Sequence, residues 1–305
     1  MGNIYTEGFA LIVGVGADLP NTVDDAEGLA NLLKDTSRCA YPEHQVNLLV
    51  SQQATRDNML AGLDQLAQKA TPDATVIVYF SGHGYRVKSS LGESYYLMPF
   101  GYNTSELYKT AISGQEFTQK LRAIPAKKVL ILLDCCHAGG VGDAKTPGLE
   151  LEKSPLPPEA QQLLAEGQGR VLIASSREDE LSYAGKPYSA FTLALLEALC
   201  GQGVAKKDGY VRVADIALYT REWVPQRTKN LQHPILDYEK ADNFVVAYYA
   251  SGDSEPKRLP FEAESIEVER KIEQQPQPQV MFNQEGQNVK NQNNIGGNVG
   301  SIQNS

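Results

Sequence analysis

Two short stretches of this 305-residue chain carry residues that could make and break covalent bonds. "SGHG" (81–84) sets His83 between two glycines. "DCCHAGG" (134–140) sets an acid, two adjacent cysteines and a histidine before two more glycines. Thiol chemistry on a carbonyl needs a thiolate, a base close to it, and N–H donors for the oxyanion that develops on attack. A cysteine, His83 and a glycine-flanked backbone are the residue types for those three tasks. Gly82 and Gly84 let the chain turn sharply and come close to a bound substrate.

The paired cysteines pose a choice. Neighbouring side chains on a strand point to opposite faces, so only one of Cys135 and Cys136 can face a site. Residue type alone does not say which. A vicinal disulfide would need a distorted peptide and would silence the thiol. Two cysteines beside His137 could begin a zinc site, but a tetrahedral site wants a second ligand pair, and the sequence offers none. The other cysteines, Cys39 and Cys200, bring the total to four. That is too few for a disulfide scaffold, and the expectation is a soluble cytoplasmic protein with reduced thiols.

Both stretches end apolar runs, and the runs define the elements that must hold them. "FALIVGVG" (9–16), "QVNLLV", "TVIVYFSG" (75–82), "YYLMP", "KKVLILLD" (127–134), "GRVLIASS" (169–176) and "NFVVAYY" read as strands. Between them, residues 23–35, 54–70, 113–124, 188–200 and 212–224 show helical spacing, with Thr55 as an N-cap. Continuous Val/Ile/Leu runs alternating with helices predict strands covered on both faces. The expected fold is α/β, a three-layer α/β/α sandwich with a mostly parallel central sheet. In such sheets functional groups collect at the carboxyl ends of strands, where both motifs lie.

Composition bounds the partners. A formal net charge of −9 argues against a general nucleic-acid or anionic-membrane binder. No run is long enough to span a membrane, and the N-terminus lacks a signal-like apolar stretch. Gly2 with Thr6 matches a myristoylation pattern only weakly. Residues 138–169 are rich in Gly and Pro and read as an exposed loop that could be processed, with Lys145 and Lys153 as cut points; a plain surface insertion is the other reading.

"VIVYFSGHG" followed by "VLILLDCCHAGG" resembles the caspase/metacaspase superfamily (clan CD, peptidase C14-like), in its prokaryotic caspase-like branch. A histidine about 50 residues upstream of the cysteine is the order expected there. The resemblance spans roughly residues 5–250 and includes "VDDAEGLANLL" and "VLIASSREDE". It implies the caspase-hemoglobinase fold and a cysteine endopeptidase acting on proteins. In the family's Asp-x-Cys-His motif the nucleophile is Cys136, which leaves Cys135 as a packed, small apolar residue. His83 is then the base, and the N–H groups of Gly84 and Cys136 form the oxyanion hole.

The resemblance also implies a specificity. Metacaspases carry an acid at the position of Asp134 and a second one after the first strand, here Asp25, and cut after Arg or Lys. Two carboxylates at the base of a narrow pocket favour a cation and repel an anion. For Asp25 the alternative is a helix-start acid that serves the dipole, as Asp24 does. Ser175 or Ser176 is expected to line the pocket. No cofactor is expected; calcium, which many metacaspases need, stays open, because the acids of "REDE" (177–180) and "VDD" lack regular ligand spacing.

The organisation expected is a peptidase-like domain over 1–250, a charged Pro/Gln-rich linker over 251–280, and an Asn/Gln/Gly-rich tail over 281–305. In the tail "GQNV" at Gly286 is echoed by "GGNV" at Gly296. Such segments can stack as amide ladders, so a partner protein could be recruited there. A regulated bacterial effector protease, with a role in defence, follows from the family likeness alone. The rival reading is a catalytically silent caspase-like scaffold that acts through this tail.

Overall fold

The computed structural model describes residues 3–89, 92–135, 150–153, 169–178, 180–237 and 241–261. In chain order the strands are β1 (Gly8–Gly14), β2 (Val46–Val50), β3 (Thr75–Gly82), β4 (Gly84–Ser89), β5 (Gly92–Leu97), β6 (Ile112–Ser113), β7 (Lys128–Cys135), β8 (Glu150–Lys153), β9 (Arg170–Ala174), β10 (Tyr210–Arg212), β11 (Ile235–Asp237) and β12 (Val245–Tyr248). The helices are α1 (Asn21–Lys34), α2 (Arg56–Lys69), α3 (Leu107–Thr110), α4 (Gly114–Arg122), α5 (Ala190–Leu199) and α6 (Val213–Arg227).

The central sheet has six strands in the order β11-β9-β7-β3-β1-β2. Five are parallel, and β11 runs antiparallel at one edge. Alternation along each strand builds two separate cores, as a sheet covered on both faces requires. Ile77 and Tyr79 of β3, with Leu130 and Leu132 of β7, pack under α1, α5 and α6. Val76, Val78 and Phe80, with Val129, Ile131 and Leu133, pack under α2 and α4. The result is the three-layer α/β/α sandwich expected, and each fully buried Leu or Ile contributes roughly 1.5–3 kcal/mol.

Helix ends follow local chemistry. Thr55 caps α2 by accepting from the Asn58 N–H at 3.3 Å. Ser113 caps α4 by accepting from Glu116, and Ser189 caps α5 by accepting from Thr192.

Three sequence readings change. The apolar segment at 245–248 does not join the central sheet; β12 pairs with β10 in a separate two-stranded sheet. The sheet edge is taken by β11, a three-residue strand with no periodicity to announce it. Second, the expected loop over 138–169 contains β8, which pairs with β4, so Lys153 stands opposite Tyr85 in a ladder. Lys145 lies outside the described residues. Third, the expected linker does not start at 251. Lys257 donates its N–H to Cys200 O at 3.1 Å, Arg38 donates to Arg258 O at 2.8 Å, and Leu259 and Phe261 pack on the core. Those two apolar side chains hold this irregular segment on the body. The 281–305 tail lies outside the described residues.

Candidate active site

The chain runs from β1 out to β2 and then crosses back to β3 on β1's other side. In open α/β sheets such a reversal, here between β1 and β3, is where sites gather at the strands' carboxyl ends. β3 and β7 lie parallel, with Ser81 opposite Asp134 and Gly82 opposite Cys135. The two motifs therefore leave neighbouring strands at the same level.

His83 follows β3 directly and is 2% exposed. Its Nε2 lies 2.7 Å from Asp18 Oδ2, its backbone carbonyl accepts from Met98 N–H at 3.0 Å, and its ring meets Tyr85 edge-on at 6.3 Å. Glycine at 82 is a steric need: a Cβ there would lie 2.7 Å from Val15 Cγ2 and 2.8 Å from Phe80 Cζ. Gly84, expected to offer an oxyanion N–H, opens β4 opposite Leu97, one residue past His83.

Cys135 points into the α2/α4 core, where the Tyr95 hydroxyl donates to its Sγ at 3.2 Å. Burial pushes this thiol up to about 12, helped by the Asp134 charge and opposed by the Tyr95 hydrogen bond. A thiol so placed is almost wholly protonated at neutral pH. Cys136 and His137 lie outside the described residues.

Asp134 points the other way, into the α1/α5 side, and is fully buried. Its Oδ1 accepts from Ser182 Oγ at 2.8 Å; its Oδ2 accepts from Ser189 Oγ at 2.6 Å and Thr192 Oγ1 at 3.3 Å. Asp25, 1% exposed, accepts the Ser189 N–H at 2.8 Å. The sequence could not decide whether Asp25 served the helix dipole. The structure puts it in the buried stripe of α1, in line with Thr22, Ala26 and Leu29. Burial raises both carboxyls; at Asp25 the Asp134 charge adds to it, while at Asp134 the hydroxyls of Ser189, Ser182, Ser175 and Thr192 act against it.

Ser175 and Ser176 are buried where β9 ends, and Ser175 O accepts from Gln232 Nε2 at 2.8 Å. Gln232 also donates to Ser182 Oγ at 3.2 Å and accepts the Tyr183 N–H at 2.9 Å. Ser175 thus stands in the hydrogen-bond network around Asp134. Sequence reasoning missed Asp18, Ser182, Ser189, Thr192 and Gln232. Ser189 alone had a local signal, as a serine directly before a helical apolar run.

Among the described residues no group of three or more His, Cys, Asp or Glu side chains could hold a metal ion. In the "REDE" segment, Glu178 pairs with Arg86, and Glu180 accepts from His233 Nδ1 at 2.6 Å and pairs with Arg177 at 3.6 Å. No helix among the described residues is long and apolar enough to cross a membrane.

A doubly covered, mostly parallel sheet whose adjacent strand ends deliver a buried histidine and a cysteine segment is the architecture of a caspase-like peptidase. The family model of the caspase domain of C14 peptidases matches residues 7–245, and the chain belongs to that family. A probable protease of a Desulfuromonadales bacterium is 24% identical over 226 residues, which cover 66% of this chain and 27% of that protein. Metacaspase-7 of Arabidopsis thaliana is 24% identical over 151 residues, covering 44% of this chain and 35% of the plant protein. The chain thus spans only about a quarter to a third of these curated relatives. The crystal structure of protein GSU0716 from Geobacter sulfurreducens superposes with a TM-score of 0.52 at 20% identity, over 75% of this chain and 92% of that one. That likeness bears on the fold.

Proposed function

We propose that this chain is a cysteine endopeptidase that cuts proteins after Arg or Lys, with Cys136 as nucleophile and His83 as its base. The observation that carries the specificity is the meeting of Asp25 and Asp134 on Ser189, one through the backbone N–H and one through the hydroxyl. The donors around them are neutral, so they orient the oxygens of Asp134 without cancelling its charge, and Asp25, whose proton is favoured by burial and by the Asp134 charge, can release it to an entering cation. A guanidinium or ammonium entering beside them regains in ion pairing what it loses in hydration; an acidic side chain would meet only repulsion.

In the proposed reaction His83 takes the Cys136 thiol proton, and the thiolate attacks the carbonyl carbon of the scissile peptide. The N–H groups of Gly84 and Cys136 stabilise the oxyanion. The imidazolium then gives its proton to the leaving amine, and a thioester remains. Water, deprotonated by His83, attacks the thioester and releases the new carboxyl end with regeneration of the thiol. The repeat in residues 281–305 supports recruitment of a partner protein, and with it a regulated effector role.

The test is hydrolysis of fluorogenic peptides with Arg, Lys or Asp at P1, with and without calcium. Cleavage after Arg or Lys that is lost in Cys136→Ala and in Asp134→Ala supports the proposal. Cleavage after Asp would overturn the specificity; activity that survives Cys136→Ala would overturn the nucleophile.

A further inference from the structure

We propose that Asp18 is a positioning residue for His83, fixing the tautomer and the orientation of its ring. The inference rests on the proposed role of His83. Three observations carry it. Asp18 Oδ2 lies 2.7 Å from His83 Nε2, although the residues are 65 apart in sequence. The imidazole is 2% exposed, while the Asp18 side chain is 60% exposed. The contact is therefore not a by-product of core packing: a solvated carboxylate has been brought to the one buried ring it meets.

The third observation is the loop that presents it. Leaving β1, the backbone adopts positive φ at Gly16 (68°) and at Ala17 (58°), directly before Asp18. A left-handed alanine costs about 1 kcal/mol or more, and such strain persists only where the surroundings enforce it. Here the Thr22 hydroxyl accepts the Gly16 N–H at 2.8 Å and donates to Leu19 O at 2.8 Å, and Leu19 N–H closes the turn on Gly16 O at 3.0 Å. The first turn of α1 thus clamps the turn that brings Asp18 to His83.

The chemistry follows from the donor inventory. A carboxylate only accepts, so Nε2 carries the proton and donates to Asp18. The lone pair is then fixed on Nδ1, which takes the thiol proton. Without Asp18 the ring exchanges tautomers and turns more freely, and the fraction competent as a base falls. Because Asp18 is largely solvated, its charge is screened, and orientation outweighs charge in its effect. An amide of the same shape does not replace it, because its NH2 group can turn to the ring and donate to Nε2, which selects the wrong tautomer.

The experiment compares wild type, Asp18→Ala and Asp18→Asn. Asp18→Ala should lower kcat about 10- to 100-fold on an Arg or Lys peptide with KM within about twofold, and Asp18→Asn, whose amide can donate to Nε2, should recover little of it. In parallel, imidazole 15N shifts are read in the full chain, which has four histidines, with His83 assigned by its loss in His83→Gln. Wild type should show the Nε2-protonated tautomer, and Asp18→Ala a mixture, at unchanged melting temperature. The same kcat in wild type and Asp18→Ala, or the same His83 shifts, would overturn the proposal. The spectra need no turnover, so a chain inactive on every peptide would fail the peptidase reading while the His83–Asp18 contact was still decided.

Discussion

The Tyr95 hydroxyl donates to Cys135 Sγ across 3.2 Å inside the α2/α4 core. With the thiol pushed up to about 12, mainly by burial, Cys135 is held almost wholly as the thiol at pH 8. Cys135→Ala should therefore keep kcat within about threefold while costing about 1 kcal/mol of stability for the lost packing. Iodoacetamide labelling of the folded Cys136→Ala variant, read by mass spectrometry, should leave Cys135 unmodified until denaturant is added. Rapid labelling of Cys135 in the native protein would refute its burial.

Asp25 predicts a pH signature of stability. Its carboxyl is held well above the ordinary 3.8, first by burial and then by the Asp134 charge. From about pH 4 up to that raised value, the folded chain keeps a proton that the unfolded chain has released. Stability contributed by this group therefore falls as pH rises through the window. Asn at this position cannot ionise but still accepts the Ser189 N–H. The melting temperature of Asp25→Asn minus that of wild type should be near zero at pH 4 and climb by several degrees toward pH 8 (about 1 kcal/mol shifts a domain of this size by a few degrees). A difference that is flat with pH would mean that Asp25 is not held in this state.

Ser189 is used twice by one hydroxyl, which donates to Asp134 at 2.6 Å and accepts the Thr192 N–H at 2.9 Å as the cap of α5. Ser189→Ala should cost about 1–2 kcal/mol through the lost cap and hydrogen bond. It should also raise KM for Arg and Lys peptides more than it lowers kcat, because it loosens the carboxylates and not the thiol or His83. Thr at this position, which keeps the hydroxyl, should restore KM. A loss confined to kcat would move Ser189 out of the proposed specificity pocket.

Phe261 stacks at a tilt on Tyr188, with ring centroids 5.0 Å apart. Tyr188 in turn covers α1 at Gly28, where an added Cβ would lie 2.3 Å from its Cε1. Residues 251–261 are therefore part of the folded body. Phe261→Ala should lower the unfolding free energy by about 1–2 kcal/mol, visible as a lower urea midpoint at unchanged m-value. An unchanged midpoint would return the segment to a linker.

What could be read from sequence was what is written within a few residues. Alternating and helical periods located β1, β3, β7, α1, α2 and α5, because side-chain direction in a strand or helix depends only on near neighbours. Thr55 showed its cap for the same reason. Asp25 was half legible: the family likeness marked it beside Asp134, but a helix-start acid serving the dipole was the alternative, and Ser189, which joins the two, was not seen. β11 and the pairing of β12 with β10 were hidden, because strands of three or four residues hold no period and their partners are distant.

The sequence by itself determined the layers of this protein and the order in which its histidine and cysteine segments leave the sheet. Only the tertiary structure decided the company they keep. Ser189 reaches Asp25 across 164 residues, and Asp18 reaches His83 across 65. No local pattern encodes such pairs: a buried carboxylate must find donors and a buried ring a partner, and which residues supply them is settled when the helices close over the sheet.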